Sequence, residues 1–262
     1  MKPPLTYYGG KQQLTKLILS LIPKHDQYIE PYFGGGAVFF AKPVSKLEVI
    51  NDTNAELINF YRILKLEFTL LQKEIACTIH SREYFQQAKV IFQNPKLFPE
   101  IKRAWAVWVL SNQGFASKLN GSWGYDKKMN KSARQLLSKR IAFSQDLIKR
   151  MDSVQIECSD ALDVIRNLDC ETAFFYCDPP YFNSHMGHFS RYTKQDFQKL
   201  LDELSKIKGK FLLSSYPSDI LDEFTKQQGW YTRKVDKPLA LSSHPLVNKR
   251  RKTELLTANY PI

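Results

Sequence analysis

Residues 174–181 read Phe174-Phe175-Tyr176-Cys177-Asp178-Pro179-Pro180-Tyr181, and their reading decides the fold. The apolar run predicts a strand, Thr172 to Cys177. It delivers a carboxylate, two prolines and an aromatic ring to the carboxyl edge of a sheet, where open α/β sheets bind ligands. Consecutive prolines fix the backbone and remove two N–H donors, which leaves the local peptide carbonyls as acceptors. The Asp178 carboxylate and a prolyl carbonyl make an acceptor pair, suited to an exocyclic amino group with its two N–H donors. An amine held by both hydrogens is driven toward a pyramidal nitrogen, whose lone pair leaves the ring and can attack an electrophile. Tyr181 is placed to stack on the base. The same residues also fit a plain Asp-Pro turn after a buried strand, so the rest of the chain must weigh between the two.

Outward from this strand the pattern alternates. Val154 to Cys158 and Phe211 to Ser215 read as strands, with helices over Ala161 to Leu168 and Lys194 to Ile207. Trp230 to Val235 and Glu254 to Asn259 suit a terminal antiparallel pair. Toward the N-terminus, Gln12 to Ile22 has helical apolar spacing. Tyr28 to Phe33 reads as a strand ending in Gly34-Gly35-Gly36, and Lys46 to Asn51 as a strand ending at Asp52. Asn54 is a helix cap for a segment running to about Lys65. Between about 61 and 150 helical periods dominate, broken once by Ser111 to Tyr125. The expected fold is α/β: a Rossmann-like, doubly wound sheet formed by residues 1–60 and 151–262, split by a mostly helical insertion at 61–150.

The Glu30-Pro31-Tyr32-Phe33-Gly34-Gly35-Gly36 stretch adds a second constellation. Glycines after a first strand let backbone approach a ligand closely, and an acid at the end of the second strand, Asp52, can accept from ribose hydroxyls. The dinucleotide fingerprint fails because its third glycine would fall at Phe39. A nucleoside-like cofactor without a pyrophosphate fits better.

Composition sets the partner class. Of 262 residues, 43% are hydrophobic and 24% charged, close to an ordinary soluble globular chain. The longest apolar run, Ala104 to Leu110, is far short of the ~20 residues that span a bilayer. The N-terminus lacks the apolar core of a secretory signal. The expectation is therefore cytoplasmic, with no membrane. Lys plus Arg is 38 and Asp plus Glu 26, a net +12. The excess is local: 11 basic and 2 acidic residues lie between Lys102 and Arg150, and 8 and 1 between Lys226 and Lys252. Two basic tracts indicate a polyanion, phosphate backbones being the commonest kind. Cys77, Cys158, Cys170 and Cys177 have no Cys-x-x-Cys spacing and are expected to be buried reduced thiols. His185 and His188 read as loop histidines, so no metal site is expected.

Tyr7-Tyr8-Gly9-Gly10-Lys11, the Phe33-Gly34-Gly35-Gly36 loop and, after the insertion, Asp178-Pro179-Pro180-Tyr181, in that chain order, resemble the Dam-like adenine-N6 DNA methyltransferases. Lys249-Arg250-Arg251-Lys252-Thr253-Glu254-Leu255-Leu256 is similar to that family's C-terminal basic-then-strand element. The resemblance covers both ends of the chain; the middle matches poorly. It implies S-adenosylmethionine (S-adenosyl-L-methionine) as cofactor, lying between the glycine loop and the N-terminal element and touched by Tyr7, Lys11, Phe33, Gly34, Gly35 and Gly36. Asp52 would bind its ribose, and Asp178 would border it. Asp160 would meet its adenine end, or else cap the helix that begins at Ala161. Asp178, Pro179, Pro180 and Tyr181 would hold the flipped adenine. No metal is needed, since the sulfonium methyl is already activated.

Base flipping from double-stranded DNA accounts for the basic tracts, because the amine is out of reach inside the duplex. Lys127, Lys128, Lys131, Arg134, Lys139 and Arg140 are expected on phosphates, with Lys249, Arg250, Arg251 and Lys252 gripping the other side. The segment Ser111 to Tyr125, with Phe115, Lys118 and Trp123, is expected to read bases or wedge the strands. Trp105 and Trp108, three apart on a helix, read as core. The Arg-Tyr-Asn and Phe-Asn-x-Pro stretches of the GATC-reading members are absent, so the target sequence stays open, as does a cognate restriction endonuclease. Cytosine-N4 methylation (more often Ser before Pro-Pro), RNA adenine methylation and a non-catalytic DNA-binding subunit are the competing readings.

Overall fold

The computed structural model describes residues 1–183, 192–238 and 251–262. Its elements in chain order begin with α1 (Thr15–Leu21), β1 (Gln27–Glu30), α2 (Ala37–Ala41) and β2 (Leu47–Asn51). A helical stretch follows: α3 (Ala55–Leu66), α4 (Phe68–Ala76), α5 (Arg82–Gln93), α6 (Glu100–Gln113), α7 (Lys131–Ala142) and α8 (Asp146–Met151). Strands then return with β3 (Val154–Glu157), α9 (Ala161–Leu168), β4 (Ala173–Cys177), α10 (Lys194–Leu204), β5 (Lys210–Ser215), α11 (Asp219–Gln228), β6 (Tyr231–Pro238) and β7 (Arg251–Ala258). The strand order is β3-β2-β1-β4-β5-β7-β6. It reverses direction between β1 and β4, the switch point at which doubly wound sheets bind ligands. The α/β expectation holds.

Two compact units divide the chain. The first comprises Met1–Ser20, Phe33–Val44 and Ile50–Ser159. Its centre is α6, which buries Ala104 through Gln113 apart from Asn112, as an apolar run without a polar stripe requires. Trp108 is fully buried, and the Trp105 indole donates to Thr78 Oγ1 at 2.7 Å, so both tryptophans are core. Asn54 caps α3 by accepting from the backbone of Glu56 and Leu57, and α3 turns Leu57, Phe60, Tyr61 and Leu64 inward. The predicted break begins later than Ser111. Buried side chains hold the last turn of α6: Ser111 Oγ donates to the Thr6 carbonyl and Gln113 Nε2 to that of Ile79.

The second unit comprises Leu21–Tyr32, Ser45–Val49 and Asp160–Ile262. Here β1, β4 and β5 run parallel, and β7 joins β5 and β6 antiparallel. That last pair is the predicted terminal antiparallel pair. Two-residue alternation separates the sheet's faces. One face carries Ile29, Phe175, Cys177, Phe211, Leu213 and Leu255 against α9, α10 and α11. The other turns up Tyr28, Glu30, Phe174, Tyr176, Ser214, Glu254 and Leu256. A Thr193–Asp196 capping box starts α10, and Gly229, at φ +66°, ends α11 in the left-handed conformation.

Two expectations need correction. The first strand ends at Glu30 rather than Phe33, because Phe33 already belongs to the turn that hydrogen-bonds Asn51. Of the four free cysteines only Cys177 is buried and Cys170 half-buried; Cys77 caps the end of α4 and Cys158 lies just past β3, both exposed. His185, His188, Lys249 and Arg250 lie outside the described residues. No helix among the described residues is long and apolar enough to cross a membrane.

Candidate active site

In the second unit β4 ends at Cys177, and Asp178 follows directly. The Tyr181 hydroxyl is surrounded by three oxygens: Asp178 Oδ1 at 3.1 Å, Ser214 Oγ at 2.9 Å and Glu254 Oε1 at 3.0 Å. Ser214 in turn donates to Glu254 Oε1 at 2.6 Å. Register explains the meeting. Ser214 pairs with Leu256, and Glu254, two residues before Leu256, shares that face. The Tyr181 ring meets Tyr216 edge-on at 4.3 Å, and Asn183 donates to the Pro217 carbonyl.

Behind Asp178 the same face is acidic. Glu30 is 2% exposed and accepts from the Tyr28 hydroxyl at 3.1 Å; Glu254 is 5% exposed. Burial, reinforced by these carboxylates, raises the phenols of Tyr28, Tyr176 and Tyr181 well above the ordinary tyrosine range. All three therefore remain hydroxyl donors at neutral pH. The buried Tyr176 hydroxyl has no hydrogen-bond partner among the described residues. A face with three carboxylates repels phosphate and favours N–H donors and cations. Among the described residues no group of His, Cys, Asp and Glu side chains has a geometry that could hold a metal ion.

In the first unit the glycine loop is held by side chains. Asp52 Oδ2 accepts from Gly34 N and Oδ1 from Asn54 N, both at 2.9 Å. Tyr61 donates to the Gly34 carbonyl at 3.1 Å. Tyr7 packs so closely that a Cβ at Gly35 would lie 2.7 Å from its own Cβ, and Gly34 and Gly36 have φ of +50° and +65°. Only glycine satisfies both demands. Burial pushes the Asp52 carboxyl up, against the pull of the two backbone N–H groups. Burial and Asp52 together raise the Tyr7 phenol. Lys11, 5% exposed, donates to the Gly9 carbonyl. Asp160 accepts from Leu162 N at 2.8 Å and is the N-cap of α9.

The basic region of the first unit divides. Lys127, Lys128, Lys131 and Arg134 are exposed at the start of α7, where Lys128, Lys131 and Arg134 line a shallow concavity. Lys139 is half-buried, its amine held below the usual lysine value by burial and Lys2, and Arg140 donates to the Ala76 carbonyl. In the loop, Gly114 bridges Trp123, and Ala116 and Ser117 sit at φ of +55° and +57°. Such strain in non-glycine residues clusters at functional sites. Trp123 stacks on Tyr125 and His80, with the Arg82 guanidinium 4.7 Å above it. Phe115 is 60% exposed, and Lys118 lies over the Tyr8 ring. Arg251 and Lys252 fall on β7.

The family model for D12 class N6 adenine-specific DNA methyltransferases matches residues 7–237. The chain belongs to that family. It is 29% identical over 294 residues to the type II methyltransferase M.MjaIII of Methanocaldococcus jannaschii, covering 99% of each chain. It is 27% identical over 285 residues to M1.LlaDCHI of Lactococcus lactis subsp. cremoris, covering 99% of this chain and 96% of that one. With the DNA adenine methylase of Salmonella typhi it shares 24% over 277 residues, covering 98% of this chain and 94% of that one. The family's reaction is methyl transfer to DNA adenine, which agrees with an acceptor-rich, phosphate-repelling face around Asp178. Sequence reasoning quoted Glu30 and Glu254 within their motifs without giving either a role, and it missed Ser214, Tyr216 and Arg82. A signal existed for two of them: Ser214 and Glu254 are polar residues set into apolar strand runs.

Proposed function

We propose that this chain transfers a methyl group from S-adenosylmethionine to N6 of an adenine extruded from double-stranded DNA, at one short recognition sequence. The observation that carries the reading is Asp178 just past the end of β4, its carboxylate fixed by the Tyr181 hydroxyl and followed in the chain by two prolines. Asp178 accepts one N6 hydrogen and the Pro179 carbonyl the other, which localises the lone pair on nitrogen. Pro180 keeps the turn rigid, and the Tyr181 ring, fixed at its hydroxyl, offers a stacking surface. The acidic face excludes phosphate from the place where the amine must sit.

Tyr7, Lys11, Phe33, Gly34, Gly35, Gly36 and Asp52 would hold the cofactor. The donor set fits it: each Asp52 oxygen takes one backbone N–H and keeps a second lone pair for a ribose hydroxyl. When bound, the cofactor supplies an electrophilic sulfonium methyl. Asp160, occupied as a helix cap, has less claim to the adenine end. Residues 61–150 act as the target-recognition insertion, with 1–60 and 151–262 as the catalytic part. Lys127, Lys128, Lys131 and Arg134 contact phosphates, Phe115 and Trp123 engage bases, and Lys118 and Lys249 to Lys252 add charge. Lys139 and Arg140 contribute through packing. A cytoplasmic place beside the chromosome suits this substrate, and a cognate restriction endonuclease suits the type II relatives.

The test is transfer of labelled methyl from S-adenosylmethionine to duplex DNA, followed by nucleoside separation. Label in N6-methyladenine supports the reading. Label in N4-methylcytosine, or in RNA alone, defeats it.

A further inference from the structure

We propose that Ser214 and Glu254 are positioning residues for methyl transfer, acting through the Tyr181 hydroxyl to fix the Asp178 carboxylate. The proposal rests on the reading that Asp178 accepts the target amine.

Among the described residues four oxygen–oxygen approaches meet around Tyr181 and Ser214, and the two hydroxyls bring two hydrogens to them. The shortest approach, 2.6 Å, runs from Ser214 to Glu254 Oε1, so the Ser214 hydrogen belongs there. That donation weakens Glu254 Oε1 as an acceptor for the Tyr181 hydrogen. The Tyr181 hydrogen is then directed at Asp178 Oδ1, 3.1 Å away. An O–H donor on one carboxylate oxygen resists rotation of the group, which favours one direction for its remaining lone pairs. The two supporting residues lie on strands, Ser214 on β5 and Glu254 on β7, paired in fixed register. Placement on regular elements is what a position good to a fraction of an ångström requires. Burial keeps water from substituting for either group, Ser214 being fully buried and Glu254 nearly so.

The alternative is that Ser214 and Glu254 merely fill the sheet face. A double-mutant cycle separates the two. Glu254→Gln and Ser214→Ala are made with Tyr181 intact and again with Tyr181→Phe, which removes the hydroxyl through which they are said to act. Single-turnover methyl transfer and DNA affinity are measured for each. With Tyr181 intact, each change should slow transfer about tenfold, the size of one misdirected hydrogen bond, and leave DNA affinity within about twofold. In the Tyr181→Phe background each should cost less than about twofold. Ser214→Thr, which keeps the hydroxyl, should restore most of the rate lost in Ser214→Ala. Equal slowing in both backgrounds overturns the proposal, and so does no slowing with Tyr181 intact. If Glu254→Gln does not fold, the Ser214 arm carries the cycle alone. A wild-type protein that methylates no adenine defeats the proposed reaction and this inference with it; an active wild type with uncoupled variants defeats only the positioning.

Discussion

Tyr181 and Trp123 are both aromatic rings at the edge of regular structure, yet different forces hold them. Tyr181 is fixed at its hydroxyl by three oxygens, from Asp178 just past β4, Ser214 on β5 and Glu254 on β7, on a face where Glu30 and Glu254 are buried. Trp123 is held by stacking on Tyr125 and His80 under Arg82, with one long hydrogen bond, 3.4 Å, to Gln113. The first arrangement specifies direction and suits a step in which an amine must point one way. The second specifies a surface and leaves neighbours such as Phe115 and Tyr125 exposed. Chemistry shared across a family needs direction, whereas choice of target needs surface.

The largest break of this comparison comes at Asp178. Asp178→Ala should cut methyl transfer by roughly 10²–10³-fold, the usual cost of losing one oriented electrostatic partner at a reacting centre. Folding should be spared, as judged by an unchanged urea midpoint. Trp123→Ala should act on the other quantity. Losing the stack and the cation–π contact, each about 1 kcal/mol, should weaken DNA binding by up to about tenfold. The rate at saturating DNA should change less, and unaltered affinity together with an unaltered methylated sequence would remove the loop from recognition.

The glycine loop offers a third way of holding backbone, by one carboxylate. Asp52→Asn leaves a single acceptor oxygen and turns an N–H group toward a backbone N–H, which should cost about 1–2 kcal/mol in urea unfolding. Burial raises the Asp52 carboxyl, so the folded chain holds that proton more tightly than the unfolded chain. The contribution is fully present below the ordinary value of about 3.9 and is lost as pH rises through the raised one. Wild-type stability minus that of Asp52→Asn should therefore shrink as pH rises across the acid range; a flat difference would mean that Asp52 titrates normally. The smallest effect belongs to the exposed cations. Lys131→Ala should lower the salt slope of DNA binding by about one and weaken all sequences alike. Lys139→Ala should leave the slope unchanged, since its amine is half-buried beside Lys2.

Much of the fold was readable because periodicity is local. The apolar run before Asp178, the Asn54 cap and the two terminal strands needed only neighbouring residues. The contiguous motifs at Asp178 and Gly34 were legible for the same reason. What could not be read comes from register. Glu254 and Ser214 reach Tyr181 because β5 and β7 pair at Ser214 and Leu256, and nothing in the spacing of residues 181, 214 and 254 announces it. Charge counting likewise could not tell Lys131, open to solvent, from Arg140, whose guanidinium ends on the Ala76 carbonyl. Asp160 had two readings in sequence, and the hydrogen bond to Leu162 accounts for it as a cap.

The central claim is that the hydroxyl-fixed Asp178 carboxylate orients an adenine amine in DNA. It is tested most directly by expressing the protein, and separately Asp178→Ala, in a host without adenine methylation and mapping modified bases across the genome. The expected result is N6-methyladenine within one short sequence for the wild type and none for the variant. Methylcytosine, or full adenine methylation by Asp178→Ala, would contradict it.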